Sequence, residues 1–288
     1  VATDAEEAQQ LEAIVAKAAA NDVDDLELIS GDRARAMEPQ VKAVAALHSP
    51  STGIIDSHRL MRHLLSRARR NGGEIVYRTT VERILPREGG GFDVVVRYPD
   101  GEEDRFFSRR VVNCAGLGAD RVAASAGIDI DARGYRLHFW KGEYFSCDAP
   151  DGFIRRLVYP VPLPNTVGLG IHATVDLAGR IKFGPNATYL HDSDSPHSEL
   201  DYGLDPAGRD DFYRAAVRYL PALQKEWFQP EMAGIRPKLQ KPGDGVRDFV
   251  INEEGDEGLP GLVNCIGIES PGLTSCLAIA EYVADLMA

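Results

Sequence analysis

The chain has 288 residues, of which 44% are hydrophobic and 26% are charged. This composition excludes a disordered, collagen-like or coiled-coil protein and leaves room for one large domain or two modest ones. The 44 acidic residues exceed the 32 basic ones, so the net charge is −12. We therefore expect no nucleic-acid partner, because phosphate attraction requires clustered lysines and arginines.

The cysteines and the apolar segments exclude further classes of protein. No two cysteines have CxxC spacing, so we expect reduced structural thiols and no metal site. No apolar run reaches the ~18 residues of a membrane-spanning helix, and no signal peptide opens the chain.

The N-terminal part alternates helices and strands. Apolar residues recur at helical spacing in two segments, and short β-prone runs lie between them. The predicted elements are a helix over Glu6–Ala20, a strand over Leu26–Ile29, a helix over Asp32–Met37 and a strand over Ala43–His48.

A helix and a series of strands follow the turn at residues 50–53. The helix is capped by Asp56 or Ser57, is expected to bury Leu60, Met61, Leu64, Leu65 and Ala68, and ends at residues 71–73. The strands are predicted over Glu74–Thr79, Val81–Leu85, Phe92–Tyr98, Glu103–Phe107 and Arg110–Gly116, and a helix over Asp120–Ala126 follows them.

The middle of the chain is rich in strands, and the end returns to alternation. Strands are predicted within Tyr135–Ser146 and Leu157–His172, and a helix over Asp210–Leu220. A last strand over Gly261–Gly267 leads into a helix from Thr274 to the C-terminus. Helices and strands at both ends around a β-rich insert predict a mixed α/β fold with a second layer.

Two turns join a buried strand to a helix through glycines. The first follows Val111 and contains Gly116 and Gly118; the second runs from Gly267 to Leu273. Glycine lets the main chain adopt positive φ and approach a ligand closely, and a helix N-terminus favours an anion. Ordinary tight turns use the same residues, so a surface turn stays the alternative at each place.

Seven segments, in order, resemble the L-2-hydroxyglutarate dehydrogenase/oxidase family, a branch of the D-amino-acid-oxidase-like FAD-dependent oxidoreductases. The resemblance covers nearly the whole chain, and although each segment alone is weak, their common order is specific. The segments are Ser49–His58, Val111–Asp120, Lys141–Phe145, Tyr159–Pro162, Leu169–Thr174, Ala233–Lys238 and Gly261–Ala280.

The resemblance implies an FAD/NAD(P)-binding Rossmann-like domain with a β-sheet-rich substrate domain. It divides the chain into a connection over residues 1–47, an FAD-binding portion over 48–134, a substrate-binding domain over 135–234 and a second FAD-binding portion over 235–288. The family opens with a GxGxxG turn that binds the FAD pyrophosphate, and this chain has none. We therefore expect an N-terminally truncated Rossmann-like domain.

FAD is the cofactor that the resemblance implies, and the residues expected to hold it lie mainly in the two glycine turns. They are Val81, Ala115, Gly116, Gly118, Gly267, Ser270, Pro271, Gly272 and Leu273.

The implied reaction is oxidation of L-2-hydroxyglutarate to 2-oxoglutarate by hydride transfer to the flavin. Arg236 is the expected anchor for a substrate carboxylate, and Lys238 lies on the same side of an extended segment. His172 is the expected base, because histidine titrates in the required range, with His58 as the second choice. Tyr144 and Tyr159 are expected to line the substrate pocket. Each assignment has a structural alternative. Arg236 and Lys238 could be surface charges, His172 a structural histidine, His58 a residue of the capping region, and the two tyrosines part of the core.

The sequence is compatible with several electron acceptors, locations and related activities. The electron acceptor is oxygen, a quinone or a carrier protein. The location is cytoplasmic, or mitochondrial in a eukaryote, and peripheral contact with the inner membrane is compatible with both. The alternatives in function are a related flavoenzyme that acts on an amino acid, an amine or glycerol 3-phosphate, and an inactive fragment without cofactor.

Overall fold

The computed structural model describes residues 1–162, 170–195 and 199–288, and these form two compact units. Unit 1 comprises residues 1–56, 141–188 and 201–234, and unit 2 comprises residues 57–140, 189–200 and 235–288. Each unit has hydrophobic clusters of its own. Three strands continue from one unit into the other: β7 (His138–Cys147), β10 (Thr188–Asp192) and β11 (Phe228–Lys238).

The described residues of unit 1 form three α-helices and small sheets. Besides the three strands above, the elements are α1 (Ala5–Ala19), β1 (Glu27–Ser30), α2 (Gly31–Met37), β2 (Ala45–His48), β8 (His172–Val175), β9 (Ile181–Gly184) and α5 (Arg209–Val217). Strands β1 and β2 pair antiparallel, and the order β7-β9-β8 forms an antiparallel sheet to which β11 adds by pairing with β7.

The core of unit 1 is aromatic and lies between the sheet and α5. The rings of Phe145 and Phe212 are 4.5 Å apart, and those of Phe183 and Phe228 are 4.9 Å apart. All four side chains are fully buried. Packed aromatic pairs of this kind stabilise a fold beyond the area that they bury.

In unit 2 the described residues form two three-stranded sheets and three α-helices. The elements are α3 (Ser57–Arg70), β3 (Thr80–Pro86), β4 (Phe92–Arg97), β5 (Glu103–Ser108), β6 (Val111–Asn113), α4 (Ala119–Ser125), β12 (Val250–Glu253), β13 (Leu262–Ile266) and α6 (Gly272–Leu286). The order β3-β4-β5 is an antiparallel meander, and in the order β12-β13-β6 the strands β13 and β6 are parallel.

Most predicted elements are confirmed to within a few residues, and one strand is wrong. Residues 74–79 are outside any strand, and Val76 and Tyr77 are more than 60% exposed. The β-prone sequence is not enough, because a strand needs a neighbour to satisfy its backbone groups. Arg78 also has φ of 57°, which ends an extended run.

Three further predictions differ from the structure. Helix α3 forms as predicted but has no buried residue, and Met61 on its apolar side is 53% exposed. Strand β6 is shorter than predicted and only partly buried. Before β8, Val158 makes one isolated bridge to Ala173, and the rest of the predicted strand region includes residues 163–169, which lie outside the described residues.

Candidate functional site

The two glycine turns lie at the same edge of one sheet. Strands β6 and β13 are parallel and adjacent, so the turns that leave their carboxyl ends emerge side by side. In open α/β sheets ligands bind at this edge. The topology therefore unites two turns that are about 150 residues apart in the chain.

The first turn has an open main chain. Gly116 has φ of 58°, and a Cβ atom there would meet nothing within 4 Å. Ala115 and Gly116 are exposed, and a short 3-10 turn over Gly116–Gly118 leads directly into α4. The left-handed φ favours glycine, and the exposed peptide groups are available to a ligand.

The second turn is more tightly packed. Gly267 has φ of 73°, and a Cβ atom there would lie 2.6 Å from Cγ of Leu239. Helix α6 begins at Gly272 without a side-chain hydrogen bond to its first N–H groups. Leu273 on its first turn is 47% exposed. An uncapped helix N-terminus beside an exposed apolar side chain suits a ligand that carries both an anionic and an apolar part.

Two buried asparagines connect the strands beneath these turns. Asn113 and Asn264 are opposite each other in the β6–β13 register, and Nδ2 of Asn113 donates to Oδ1 of Asn264 at 2.8 Å. Neither residue was expected from the sequence. The signal that could have found them is the tripeptide Val-Asn-Cys, which occurs in both strands and places an amide in an apolar run.

The two cysteines that follow these asparagines form a second pair. Cys114 is exposed and Cys265 is buried. A hydrogen bond from the Cys265 thiol lowers the pKa of Cys114 to about 7, although partial burial opposes this shift. The same hydrogen bond, together with burial, raises the pKa of Cys265. Cys114 is therefore the more reactive thiol of the two.

The structure places Arg236 and Lys238 together, as their spacing predicts, and adds an acidic partner. Lys238 Nζ lies 2.5 Å from Glu269 Oε1, and Arg236 Nη1 lies 3.3 Å from Glu269 Oε2. The Lys238 side chain is 8% exposed and that of Arg236 is 27% exposed. The three charges sum to +1, and Arg236 is the cation that solvent reaches more easily. The pairing with Glu269, 31 residues away, was not expected.

His172 and Tyr159, both in unit 1, form a stacked pair. Their ring centroids are 4.0 Å apart, and the rings are 20° from parallel. His172 is buried, and its Nδ1 lies 3.2 Å from the carbonyl oxygen of Gly170. Burial, with the neighbouring Tyr144 phenol, raises the pKa of Tyr159. Of the six residues expected at the substrate, Tyr144, Tyr159 and His172 thus belong to unit 1, whereas His58, Arg236 and Lys238 belong to unit 2.

His58 and Val81 both belong to unit 2. His58 is exposed in the first turn of α3, and Val81 is 42% exposed in the β3-β4-β5 meander. For the described residues, no group of three or more histidine, cysteine or acidic side chains could hold a metal ion. Within the same part of the chain, no helix has the length and apolar character to cross a bilayer.

A cavity of about 390 Å³ lies in unit 1. Its lining is mostly apolar and includes Tyr159, with Glu38, His48, Ser49 and Thr52 as polar side chains. No arginine or lysine lines it among the residues that the structure describes. A cavity with a carboxylate and no cationic side chain is poorly suited to a dicarboxylate.

The family model described as DAO, FAD dependent oxidoreductase, matches residues 1–286. The chain belongs to this family of FAD-dependent oxidoreductases. The match spans both units and confirms the family that the seven segments indicated. It also confirms the mixed α/β fold and FAD as the cofactor.

Curated relatives support the same branch of the family. The chain is 35% identical over 321 residues to "L-2-hydroxyglutarate dehydrogenase, mitochondrial" of Arabidopsis thaliana, covering 99% of this chain and 65% of the relative. It is 28% identical to the enzyme of that name in Caenorhabditis elegans, covering 99% of this chain and 72% of the relative. The chain thus spans about two-thirds of the length of these relatives.

Two solved oxidase structures share the fold. L-alpha-glycerophosphate oxidase from Mycoplasma pneumoniae, with FAD bound, aligns with a TM-score of 0.81 and 23% identity, over 100% of this chain and 71% of that chain. Glycine oxidase from Bacillus cereus aligns with a TM-score of 0.69 and 19% identity, over 99% of this chain and 71% of that chain. At these identities the likeness shows the fold alone.

The two glycine turns fit an FAD-binding role. The open main chain at Gly116 leaves room that a side chain would fill, and the uncapped start of α6 offers N–H groups and a positive dipole end. The exposed Leu273 supplies an apolar surface beside them. An anionic and partly aromatic cofactor matches this combination.

Proposed function

We propose that the protein oxidises L-2-hydroxyglutarate, a 2-hydroxy acid, to 2-oxoglutarate with FAD as cofactor. The observation that carries the proposal is the 35% identity to a relative named L-2-hydroxyglutarate dehydrogenase, which extends over 99% of this chain. The order of the matching segments, from Ser49 to Ala280, supports it from the sequence.

We assign cofactor binding to unit 2. The main chain of Ala115, Gly116 and Gly118 and the second turn, Gly267 with Ser270, Pro271, Gly272 and Leu273, would hold FAD. Val81 belongs to this proposal as well, from its exposed position in β3. When bound, FAD supplies the acceptor for a hydride, and the chain's own residues must bind the substrate and move its hydroxyl proton.

Arg236 is the proposed anchor for a substrate carboxylate. Lys238 is buried and closer to Glu269, so it offsets most of that negative charge. Arg236 is more exposed, and its guanidinium has several donors, which suits bidentate binding of a carboxylate. Lys238 then acts by pairing with Glu269, which leaves the positive charge of Arg236 available for the substrate carboxylate.

The anchor is tested with Arg236→Met and with Arg136→Met as a matched control. Arg136 also lies in unit 2, has a side-chain exposure of 23% and pairs with two aspartates. Removing a charge-assisted contact to substrate costs about 2–5 kcal/mol. We expect kcat/KM for L-2-hydroxyglutarate to fall accordingly in Arg236→Met and to stay near wild type in the control. Equal kinetics in the two variants would remove Arg236 from the site.

His172 is the proposed base for the substrate hydroxyl. In the tautomer that donates from Nδ1 to the Gly170 carbonyl, Nε2 carries the lone pair and can take a proton. The stacked Tyr159 ring restricts the orientation of the imidazole. Lys238 and Arg236 make no part of this step, which rests on contacts within unit 1.

The base is tested by the rate of flavin reduction in His172→Gln, with His48→Gln as a control. His48 is a second histidine of unit 1 and is partly buried. Loss of a general base lowers a rate by about 10²–10⁴. We expect that loss, with an altered pH profile, only in His172→Gln. A variant that loses thermal stability but is reduced at the normal rate would show a structural histidine instead.

A substrate panel tests the function as a whole. The FAD-loaded protein is mixed anaerobically with L-2-hydroxyglutarate, glycine, sarcosine or glycerol 3-phosphate, and bleaching of the flavin is recorded. We expect bleaching by L-2-hydroxyglutarate with one 2-oxoglutarate formed per flavin. Bleaching by one of the other compounds alone would favour a related flavoenzyme, and a protein that stays colourless with added FAD would favour an inactive fragment.

The reaction also requires an electron acceptor. Oxygen, a quinone and a carrier protein satisfy its electron balance, and turnover assays with each as sole acceptor separate them. As part of the proposal, the location is cytoplasmic, or mitochondrial as in the names of the plant and nematode relatives. Peripheral contact with the inner membrane accompanies a quinone acceptor and is tested by sedimentation with lipid vesicles.

A further inference from the structure

A chain of buried polar groups runs beneath the first glycine turn in unit 2. It begins at Glu254, whose side chain is fully buried and whose carboxylate accepts from Tyr135 Oη and Asn264 Nδ2, each at 2.9 Å. Asn252 Nδ2 donates to the same carboxylate at 3.1 Å, and Arg133 lies 3.3 Å from it. These donors satisfy a group that would otherwise be costly to bury.

The hydrogen-bonded groups continue from Asn264 through Asn113 to the first glycine turn. Asn264 Oδ1 accepts from Asn113 Nδ2 at 2.8 Å, and Asn113 Nδ2 also donates to the carbonyl oxygen of Ala119 at 2.7 Å. Asn113 Oδ1 accepts from the main-chain N–H of Ala115 at 3.2 Å. The two bonds to main chain lie at the start and the end of the Ala115–Gly118 segment, so the Asn113 side chain holds both ends of the turn.

The carboxylate of Glu254 fixes which way the side-chain amides of Asn264 and Asn113 are turned. An ionised carboxylate only accepts, so Asn264 must present its NH2 group to Glu254 and its oxygen to Asn113. Asn113 must then present its NH2 group to Asn264, which leaves its own oxygen for the Ala115 N–H. Without Glu254 both amides could turn over, and the Ala115 N–H would face another N–H group.

We propose that Glu254 and Asn264 are positioning residues that act through Asn113 to set the main chain of the Ala115–Gly118 turn for FAD. The proposal rests on the assignment of FAD to this turn. Leu117 packs against the hydrophobic core, but Ala115 and Gly116 are exposed and a Cβ atom at Gly116 would meet nothing within 4 Å. Packing therefore does not define the main chain at Ala115 and Gly116. Buried, fully satisfied polar networks specify one arrangement where packing alone does not.

The first test compares Asn264→Leu with Val263→Ala. Val263 is the preceding residue of β13; it is fully buried and faces the other side of the strand. Both variants lower the stability of the fold, but only Asn264→Leu removes the hydrogen bond between residue 264 and Asn113. In the purified protein without FAD, we expect hydrogen exchange at residues 115–119 to accelerate in Asn264→Leu alone, on the order of tenfold for the loss of a buried hydrogen bond. Equal exchange in both variants would overturn the proposal.

The second test measures FAD affinity by the change in flavin fluorescence. We expect the dissociation constant to rise on the order of tenfold in Asn264→Leu and to change little in Val263→Ala. In the background Asn113→Ala, adding Asn264→Leu should have almost no further effect, because the two residues act in series. If the effects of the two substitutions on the FAD dissociation constant were additive, Asn264 would not act through Asn113, and this part of the proposal would be overturned. A wild-type protein that binds no FAD would overturn the cofactor assignment. The hydrogen-exchange test would still decide whether Glu254, Asn264 and Asn113 position the turn.

A pH profile separates positioning from simple packing. In Asn264→Asp the introduced carboxyl group, when protonated, donates to Glu254 and accepts from Asn113, as the native amide does. The carboxyl group lies against Oε1 of Glu254, to which Tyr135 also donates, while Arg133 lies against Oε2. The two carboxyl groups therefore share a proton, and the pKa of the pair is raised. We expect FAD affinity near wild type at low pH and progressive loss as pH rises through that pKa. Asn264→Leu should be weak at every pH, and parallel profiles for the two variants would overturn the proposal.

Discussion

The tripeptide Val-Asn-Cys occurs within β13 and across the end of β6, and its valine is buried to a different extent in the two places. Val112-Asn113-Cys114 and Val263-Asn264-Cys265 start in register, with Val112 opposite Val263 and Asn113 opposite Asn264. Val263 is fully buried, whereas Val112 is 39% exposed. Among the described residues β13 has a strand on each side and β6 has one neighbour. The same local sequence is therefore buried to different extents, depending on the strands and helices that pack against it.

The turns that follow these strands show the same contrast. Gly267 and Gly116 both have positive φ, but a side chain at Gly267 would collide with Leu239 and one at Gly116 would enter open space. The β13 side of the site is thus fixed by packing. The turn after β6 depends on the hydrogen bonds that Asn113 makes with Ala115 and Ala119. The buried network of Glu254 and Asn264 orients Asn113 for these bonds.

The largest expected difference is in stability when a charge is placed in each strand. Val263→Asp buries a carboxylate without a partner, and we expect a loss of about 4 kcal/mol or more, or failure to fold. Val112→Asp keeps its carboxylate near solvent and should lose about 1 kcal/mol or less. Urea unfolding of the two variants measures the difference. Similar losses would show that β6 is as buried as β13.

The next difference concerns the two glycines. Gly267→Ala combines an unfavourable φ with a collision against Leu239, and we expect a loss of about 2–4 kcal/mol. Gly116→Ala carries only the cost of the left-handed conformation, about 1–2 kcal/mol. Thermal unfolding in the absence of FAD gives both values. A larger loss at Gly116 than at Gly267 would contradict the described packing.

The smallest effect is on the reactivity of the two thiols. Because the pKa of Cys114 is lowered to about 7, its thiolate forms as pH rises through that value, and alkylation should reach half its maximal rate near pH 7. Cys265→Ala removes the hydrogen bond and should move the Cys114 profile toward the ordinary thiol value near 8.5, which slows alkylation at pH 7 on the order of tenfold.

Peptide mass spectrometry identifies the alkylated cysteine, and the variant Cys147→Ala serves as the control. Cys147 is a buried thiol of unit 1, and burial raises its pKa to about 11. Its removal should leave the Cys114 profile unchanged. Modification of Cys265 before Cys114 would reverse the expected order.

The sequence predicts well what depends on local pattern. Helix α1 begins as expected because Asp4 caps it by accepting from the Glu7 N–H, and α2 ends before the proline at position 39. The spacing of Arg236 and Lys238 correctly predicts that both face one side of β11. The family resemblance predicts the cofactor, since the segments that carry it are distributed over the whole chain.

What the sequence misses depends on distant partners. Residues 74–79 have β propensity but no strand beside them, so they form none. The apolar side of α3 is periodic yet uncovered among the described residues. Glu269, Asn264 and Glu254 contact Lys238, Asn113 and Tyr135, which are all more than 30 residues away in the chain. Only the repeated Val-Asn-Cys hints at one of these contacts.

The most direct measurement is hydrogen exchange of the purified protein with and without FAD. We predict that FAD slows exchange in two separate segments, residues 115–118 and 267–273, which the parallel pairing of β6 and β13 places at one edge of the sheet. Protection of both segments would support the cofactor site. Protection confined to other segments, or no change in either turn despite a bound flavin, would contradict it.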